Sequence, residues 1–296
     1  MGIFDILNNH HIFCFTFLGV KKTLQENVFG QHLVQDVVYR SLKGHVKYQP
    51  VKPLVLSFHG STGTGKTFVS RWIANGWFRK GMNSKFVHIF SGTKDFPHAS
   101  NIESYVNFLH GEISSHTRSC GHQIFIFEEV DSFPPDLLPS IRFFLEYYGS
   151  VEGVDYRNTI FLLLSNAGSE QLQRITGNVY KYNNNRESIQ LAETEREMVL
   201  SIFNTKGETN RRLVDRHLIS HLVPFLPLER RHVRKCIEAE LTNRLIQSDS
   251  KIIDDVIAEL LFEGTDNIFS SKGCKNVAEK LSFVLSDLTS TPRQDL

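Results

Sequence analysis

Apolar residues occur along the chain in two kinds of pattern. In some segments they recur every three or four positions, which is the spacing of an α-helix with one buried face. In others they form short uninterrupted runs, which are typical of strands buried on both faces of a parallel sheet. The runs that predict strands are 53–58, 86–90, 123–127 and 159–166, and the segments that predict helices are 30–42, 68–79, 102–113 and 135–148. This alternation indicates the α/β class, a parallel sheet covered by helices.

The pattern changes after residue 226. From Leu228 onward the apolar spacing is helical, and no run predicts a strong strand. We therefore expect an N-terminal arm or leader remnant at 1–24, a large domain at 25–226, and a small helical lid domain at 227–296 whose tail is frayed. Within the large domain, the polar, asparagine-rich segment 180–186 is expected to form a surface loop.

Composition and charge exclude some classes of function. The chain is 41% apolar and carries a net charge of +1, from 33 basic and 32 acidic residues. It therefore lacks the broad basic surface that nucleic-acid binding requires, and we expect no nucleic-acid partner. The cysteines are Cys14, Cys120, Cys236 and Cys274, and their spacing contains no zinc motif.

An apolar run at 12–20 is about as long as the core of a signal peptide and is shorter than a membrane span. Two histidines precede it in place of lysine or arginine, and no clear cleavage site follows. The run is compatible with a leader, a buried strand, a membrane-touching segment or a truncated leader, and these alternatives stay open.

The strongest chemical signal follows the first predicted strand. Residues 60–67 fit the pattern G-x-x-x-x-G-K-[ST], in which glycines let successive backbone N–H groups face bound phosphates. Lys66 is expected to reach the β- and γ-phosphates, and the Thr67 hydroxyl to bind Mg²⁺. A strand before the loop and a helix after it provide the context that this motif needs. The predicted nucleotide-binding residues are Gly60, Ser61, Thr62, Gly63, Thr64, Gly65, Lys66, Thr67 and Phe68.

Polar residues also follow two later strands. Glu128 and Glu129 come directly after the apolar run 123–127, and Asn166 ends the strand that starts at 159. We expect Glu128 to hold Mg²⁺, Glu129 to polarise the attacking water and Asn166 to position it. Taken alone, the acids would indicate a solvated strand end and Asn166 a turn. The upstream phosphate loop is what favours a role in ATP hydrolysis.

With these motifs in place, the chain resembles the AAA+ ATPases of the Clp/Hsp100 branch and, within them, the torsins. The resemblance covers about residues 21–285. Its segments are VFGQ at 28–31, the phosphate loop at 60–67, FPHASN at 96–101, IFIFEE at 124–129, LSNAG at 164–168, VPFLPL at 223–228 and KGCK at 272–275. The segments that look specific to torsins are Phe-Pro-His-Ala-Ser-Asn, Phe-Leu-Pro-Leu and Gly-Cys-Lys.

The resemblance implies a role for each matching residue, with ATP and Mg²⁺ as ligands. Glu128 and Glu129 take the Walker B positions, Asn166 takes the sensor 1 position, and Lys275 takes the sensor 2 position, where it would contact the γ-phosphate from the lid. Cys236 and Cys274 match a torsin pair that can form a disulfide linking redox state to nucleotide sensing. Two buried small residues are the commoner role for such cysteines.

The resemblance also implies a location and a partner. Torsins are chaperone-type ATPases of the endoplasmic reticulum lumen and nuclear envelope, activated by a membrane-anchored partner whose AAA+-like lumenal domain donates an Arg in trans. In Clp-type AAA+ relatives, the Arg that reaches the neighbouring subunit precedes the Phe-x-Pro-Leu segment by a fixed interval. Counting back from 225–228 places that position at Leu218, which is uncharged, and Arg216 lies two residues away. We expect the partner to supply the Arg. Homo-oligomer formation and peripheral membrane contact stay open.

Some residues depart from the torsin pattern. The phosphate loop ends Lys66-Thr67 where torsins usually have Lys-Asn, and the acids are Glu-Glu where torsins usually have Asp-Glu. The chain has no Asn-x-Ser/Thr triplet.

Two alternatives to a partner-activated ATPase remain: a nucleotide-gated scaffold with little turnover, and a threading unfoldase. The unfoldase ranks last because the stretch 90–95 offers no clear glycine–aromatic pair for a pore loop.

Overall fold

The computed structural model describes residues 17–146, 150–182, 185–204, 218–264 and 267–290. The α-helices are α1 (Phe17–Asn27), α2 (His32–Lys47), α3 (Lys66–Trp77), α4 (Gly92–Asp95), α5 (Ile102–Ser119), α6 (Leu137–Ser140), α7 (Arg142–Leu145), α8 (Ser169–Tyr182), α9 (Leu191–Asn204), α10 (Arg230–Asn243), α11 (Ser250–Ala258) and α12 (Val277–Ser290). The strands are β1 (Leu54–His59), β2 (Val87–Ser91), β3 (Ile124–Glu128), β4 (Ile160–Ser165), β5 (His221–Pro224), β6 (Phe262–Glu263) and β7 (Phe269–Ser270).

A parallel sheet organises the large domain. Its strand order is β2-β3-β4-β1-β5, so β1 lies between β4 and β5. Leu56 of β1, for example, pairs with Leu162 of β4 on one side and His221 of β5 on the other. Because all five strands run in the same direction, their carboxyl ends meet at one edge of the sheet. Ligand sites of open parallel sheets form at this edge.

Alternate residues of the central strands point to opposite faces of the sheet. Leu56, Ile126 and Leu162 belong to one core, which α2 and α3 cover. Phe125 and Phe161 belong to a second, aromatic core on the other face, which α5 covers. Both faces are buried, which explains why these strands are apolar throughout. The predicted α/β architecture is confirmed.

The C-terminal helices form a smaller domain. Helices α10, α11 and α12 pack around their own apolar core, which includes Val233, Ile253 and Leu281. The two-residue strands β6 and β7 pair antiparallel beside them. The domain is therefore helical, as predicted, with one minimal hairpin added.

The N-terminal helix α1 continues across the expected boundary between residues 24 and 25. Leu24 is buried in the core that also contains α2 and α3. The first part of the apolar run 12–20 lies outside the described residues. None of the described helices combines the length and the apolarity needed to cross a membrane.

Two predictions of local structure were wrong. The helix predicted at 135–148 is interrupted between α6 and α7, because the Ser140 carbonyl contacts His110 Nε2 at 2.9 Å and the Phe144 N–H bonds to Ile141 instead. The loop predicted at 180–186 begins later, since α8 extends to Tyr182; residues 183 and 184 lie outside the described residues. Arg186 then starts a single 3-10 turn, Arg186–Ser188, and is buried.

Candidate nucleotide site

A cavity of ≈ 740 Å³ lies between the carboxyl edge of the sheet and the small helical domain. Most of the predicted site residues line it. These are Thr62, Gly63, Thr64, Gly65, Lys66, Thr67, Phe68, Glu128, Glu129, Asn166, Cys236, Cys274 and Lys275. Gly60 and Ser61 do not line the cavity, but their carbonyl groups accept hydrogen bonds from Lys66. The fold therefore brings the sequence-predicted residues of both domains together.

The phosphate loop touches the helical domain directly. Gly63 has φ +77°, and a Cβ there would collide with the Lys272 carbonyl. A Cβ on Gly273, at φ +51°, would likewise collide with the Gly63 carbonyl. Next to it, the Cys274 N–H donates a hydrogen bond of 3.1 Å to the Gly63 carbonyl. Both glycines are required because two backbones meet here without room for side chains.

Lys66 lies at the first turn of α3, where the helix N-terminus favours anions. Its ammonium donates to the Gly60 carbonyl (2.5 Å), the Ser61 carbonyl (2.9 Å) and Asn166 Oδ1 (3.0 Å). Burial lowers its pKa to about 8, while the charge of Asp131 opposes that shift. A half-buried cation whose three hydrogen-bond acceptors are all neutral is suited to bind an anion. The loop therefore fits a nucleotide phosphate.

The two acids lie at the carboxyl end of β3. Glu128 is the last residue of the strand, and Glu129 has a left-handed backbone, with φ 57°. The Glu129 carboxylate accepts hydrogen bonds from the hydroxyl of Thr93 (2.5 Å) and, more weakly, from that of Ser91 (3.4 Å). The contacts hold Glu129 toward β2. Thr93 received no role from the sequence, although its place just after a neighbouring parallel strand could have indicated one.

Mg²⁺ suits the donor groups at this edge. Mg²⁺ is commonly held by one or two protein oxygens together with substrate phosphates and water. Thr67 and Glu128 supply a hydroxyl and a carboxylate on the lining of the same cavity as Lys66. These residues would hold the ion beside the phosphates.

Asp131 positions Asn166, a role that the sequence did not indicate. Its carboxylate accepts the Asn166 backbone N–H (2.6 Å) and the Ser165 hydroxyl (2.5 Å). These bonds fix the end of β4, so that Asn166 Oδ1 meets the Lys66 ammonium. Asp131 follows the acids by two residues in a one-turn 3-10 helix, Val130–Ser132, which carries its side chain back to the sheet edge.

Gln31 is a second positioning residue that the sequence did not reveal. Its side chain is 1% exposed. The Gln31 amide donates to the Thr64 carbonyl (3.1 Å) and the Leu226 carbonyl (2.8 Å), and its oxygen accepts the Leu226 N–H (2.9 Å). One amide therefore joins the phosphate loop to the segment that leads into the helical domain. The VFGQ motif marked this residue without indicating its partners.

The far end of the cavity is largely apolar. Val28 and Phe29 before α2, and Leu228 and Val277 from the C-terminal region, line it. Phe68 and Trp72 also line the cavity, and their rings meet edge to face with centroids 6.0 Å apart. Apolar walls with a few polar groups are typical of sites for flat ligands such as a nucleobase. The sequence prediction included Phe68 and missed Trp72, which lies one helical turn later.

Cys236 and Cys274 form a disulfide, with Cα atoms 6.2 Å apart. The bond joins α10 to the segment before α12, and both cysteines line the cavity. The Cys274 N–H donates a hydrogen bond to the Gly63 carbonyl. One end of the disulfide is therefore linked directly to the phosphate loop. Cys120, the other cysteine within the described ranges, is free.

Leu218 occupies the position where AAA+ relatives of the Clp type were expected to carry an Arg. It is 1% exposed and packs in the aromatic core, and its carbonyl accepts a hydrogen bond from Lys52. The uncharged side chain faces the interior of its own domain, so it is not suited to contact the nucleotide of a neighbouring subunit. Arg216 lies outside the described residues.

The strand order, the phosphate loop after β1, the acids after β3, the polar residue after β4 and the helical lid together define an AAA+ P-loop fold. Structures of Hsp104 are similar to it. The "S. cerevisiae Hsp104-ADP complex" matches with a TM-score of 0.64 at 17% identity, over 92% of this chain and 47% of that one. The "Closed State CryoEM Reconstruction of Hsp104:ATPyS and FITC casein" matches with a TM-score of 0.63 at 16% identity, over 92% and 47%.

The family follows from two further comparisons. The Torsin family model matches residues 4–127, and the model "Torsin-1A, C-terminal domain" matches residues 228–284. A "Torsin-like protein" of Caenorhabditis elegans is 43% identical over 267 residues, covering 88% of this chain and 75% of that protein. The chain belongs to the torsin family of AAA+ proteins. It spans about half the length of the Hsp104 chains, whose likeness shows the fold alone.

Proposed function

We propose that this protein binds ATP in the cleft between its two domains and hydrolyses it slowly until a partner completes the site. The observation that carries the proposal is the meeting of Lys66, Glu129 and Asn166 at one sheet edge, with Lys275 of the lid lining the same cavity. These groups can bind the phosphates and activate the attacking water. AAA+ ATPases use ATP with Mg²⁺, and the donor groups described above fit both.

The residues have separate roles in the reaction. Lys66 leaves its carbonyl acceptors and compensates the charge of the β- and γ-phosphates. Glu129, once released from Thr93, orients and polarises the attacking water. Asn166, fixed by Asp131, and Lys275 hold the γ-phosphate end from opposite domains. Thr67 and Glu128 would hold Mg²⁺, which when bound would supply further neutralisation of phosphate charge.

We infer that the missing charge comes from a partner. A donated Arg can accelerate phosphoryl transfer by roughly 10³–10⁵-fold, and Leu218 cannot provide it because it is buried and apolar. The proposed partner is a membrane-anchored protein whose AAA+-like lumenal domain supplies the Arg. The protein would act as a chaperone-like remodeller in the endoplasmic reticulum lumen and nuclear envelope. The Cys236–Cys274 disulfide supports this location, since such bonds persist in oxidising compartments.

The test measures steady-state ATP hydrolysis by the purified chain, alone and with the partner's lumenal domain. We expect slow turnover alone, a large acceleration with the partner, and loss of that acceleration when the partner's Arg is replaced. Arg216→Ala is the control within this chain, and it should change neither rate. Brisk turnover by the isolated chain that Arg216→Ala abolishes would contradict the proposal.

The disulfide is proposed to tune nucleotide binding. Its support is the short path from Cys274 through its own N–H to the Gly63 carbonyl of the phosphate loop. Nucleotide affinity should therefore differ between oxidising and reducing conditions in the wild type, and the difference should vanish in Cys274→Ser. Cys120→Ser, which removes the free cysteine, is the matched control. Equal affinity under both conditions in the wild type would refute this role.

A nucleotide-gated scaffold is the second candidate. The contact of Glu129 with Thr93 favours it, because a carboxylate held toward β2 is not placed to activate water. The hydrolysis assay separates the two candidates, since a scaffold would bind ATP tightly and show no acceleration with the partner.

A further inference from the structure

A basic face runs along α2, on the surface of the large domain. Residues 36, 40, 43 and 47 follow the spacing of one helical stripe, and Lys21 of α1 lies across from it. Together they border a groove of ≈ 660 Å³ between the two helices. None of these residues lines the nucleotide cavity. The groove is therefore separate from the ATP site.

Positive charge is concentrated in the segment that carries this face, and acidic residues elsewhere in the chain balance it. Residues 17–48 contain five lysines and arginines and two acids, a net +3, whereas the whole chain carries +1, so the remainder sums to −2. Within the groove, Asp36 is already paired with Arg40 at 2.5 Å. Lys21, Lys43 and Lys47 have no acidic partner among the described residues.

These three lysines converge on aromatic rings. Lys21 and Lys43 both lie 5.6 Å from the centre of the Tyr39 ring, and Lys47 lies 5.1 Å from that of Tyr48. Cation–π contacts hold the ammonium groups on the surface. At exposed sites each such contact contributes only a small stabilising free energy. Asp36, the acid among the described residues that line this groove, is paired with Arg40, so the two cations on the Tyr39 ring leave a place for an external anion.

Apolar side chains border the basic groups. Tyr48 is 64% exposed, Val51 is 67% exposed and Val46 is 40% exposed, all around the C-terminal end of α2. In sequence, the apolar run 12–20 overlaps the start of α1, which forms the other wall of the groove. Basic residues beside exposed valine and tyrosine side chains are typical of surfaces that rest on the headgroup layer of a membrane.

We propose that the face formed by Lys21, Lys43, Lys47, Tyr39 and Tyr48 binds the headgroups of anionic phospholipids and seats the large domain on a membrane surface. The lysines would neutralise lipid phosphates, and Tyr48 with the neighbouring valines would enter the headgroup layer. The proposal is independent of ATP hydrolysis, since it uses no residue of the nucleotide cavity.

The test measures the affinity of the whole 296-residue chain for two kinds of vesicle by co-sedimentation. One kind is phosphatidylcholine alone, and the other is phosphatidylcholine mixed with phosphatidylserine. The readout is the ratio of the two affinities, because insertion of the apolar run 12–20 would contribute to both. Each lysine near an anionic surface contributes about fivefold in affinity. Lys43→Ala/Lys47→Ala should therefore reduce the ratio about 30-fold, and added salt should reduce it in the wild type.

Lys80→Ala/Lys85→Ala is the matched control, because it removes two exposed lysines of the same domain away from the groove. It should keep the wild-type ratio, and ATP affinity should be unchanged in both double variants. An equal ratio for the two double variants would overturn the proposal. Saturable binding of inorganic phosphate at Lys43 and Lys47 without a preference for phosphatidylserine vesicles would also overturn it, in favour of a soluble ligand.

Discussion

Replacing Gln31 by Met tests whether one buried amide holds the phosphate loop in place. Methionine has a similar length and keeps the apolar contacts, but it can make none of the three hydrogen bonds. The Thr64 carbonyl and both backbone groups of Leu226 would lose their side-chain partner in a site where Gln31 is only 1% exposed. At about 1 kcal/mol for each net hydrogen bond, unfolding should become easier by about 3 kcal/mol.

The effect on ligand binding distinguishes positioning from general stability. Gln123→Met is the matched control, because Gln123 is also 1% exposed and its amide donates to the His116 and Cys120 carbonyls, away from the nucleotide cavity. Urea unfolding and ATP titration are measured on both variants. We expect both to lose stability, and only Gln31→Met to lose ATP affinity, by about tenfold or more if one of the three bonds is needed for loop geometry. Wild-type affinity in a folded Gln31→Met protein would refute the reasoning.

Three further predictions follow from single contacts. Since bound phosphates favour the charged amine of Lys66, whose pKa is about 8, ATP affinity should be full below that pH and fall by up to about tenfold per pH unit above it; a flat titration would contradict this. Thr93→Val removes the hydroxyl that holds Glu129 and should raise basal hydrolysis about tenfold at unchanged ATP affinity, whereas a slower enzyme would show that the contact assists catalysis. Arg186→Met leaves the buried carboxylate of Glu229 with one ion-pair partner fewer and should lower the free energy of unfolding by about 3 kcal/mol, measured in urea; a stability unchanged within error would show that the pair contributes little.

The sequence predicted the sheet and its site because their signals are local. A strand that is buried on both faces is apolar throughout, so β1, β3 and β4 were visible in the sequence as uninterrupted apolar runs. The phosphate loop was visible because its glycines and Lys66 lie in one short segment. The positions of Glu129 and Asn166 followed from a general property, that parallel strands end at the same edge of a sheet.

The features that the sequence did not predict depend on contacts between residues that are far apart in the chain. The amide of Gln31 bonds to residues 33 and 195 positions away, and Asp131 bonds to residues 34 and 35 positions away. No local pattern encodes such partners. The break between α6 and α7 has the same origin, since His110 of α5 contacts the Ser140 carbonyl that a continuous helix would have used.

The most direct test of the account is the identity of the nucleotide that Glu129→Gln retains after mixing with ATP. A glutamine keeps the size of the side chain and cannot accept a proton from water, and loss of a general base typically costs 10²–10⁴-fold in rate. With the proposed activating partner present, the variant should hold unhydrolysed ATP under conditions in which the wild type holds ADP, and Lys66→Ala should hold neither. Hydrolysis by Glu129→Gln at the wild-type rate would contradict the assignment of this cleft as the ATPase site.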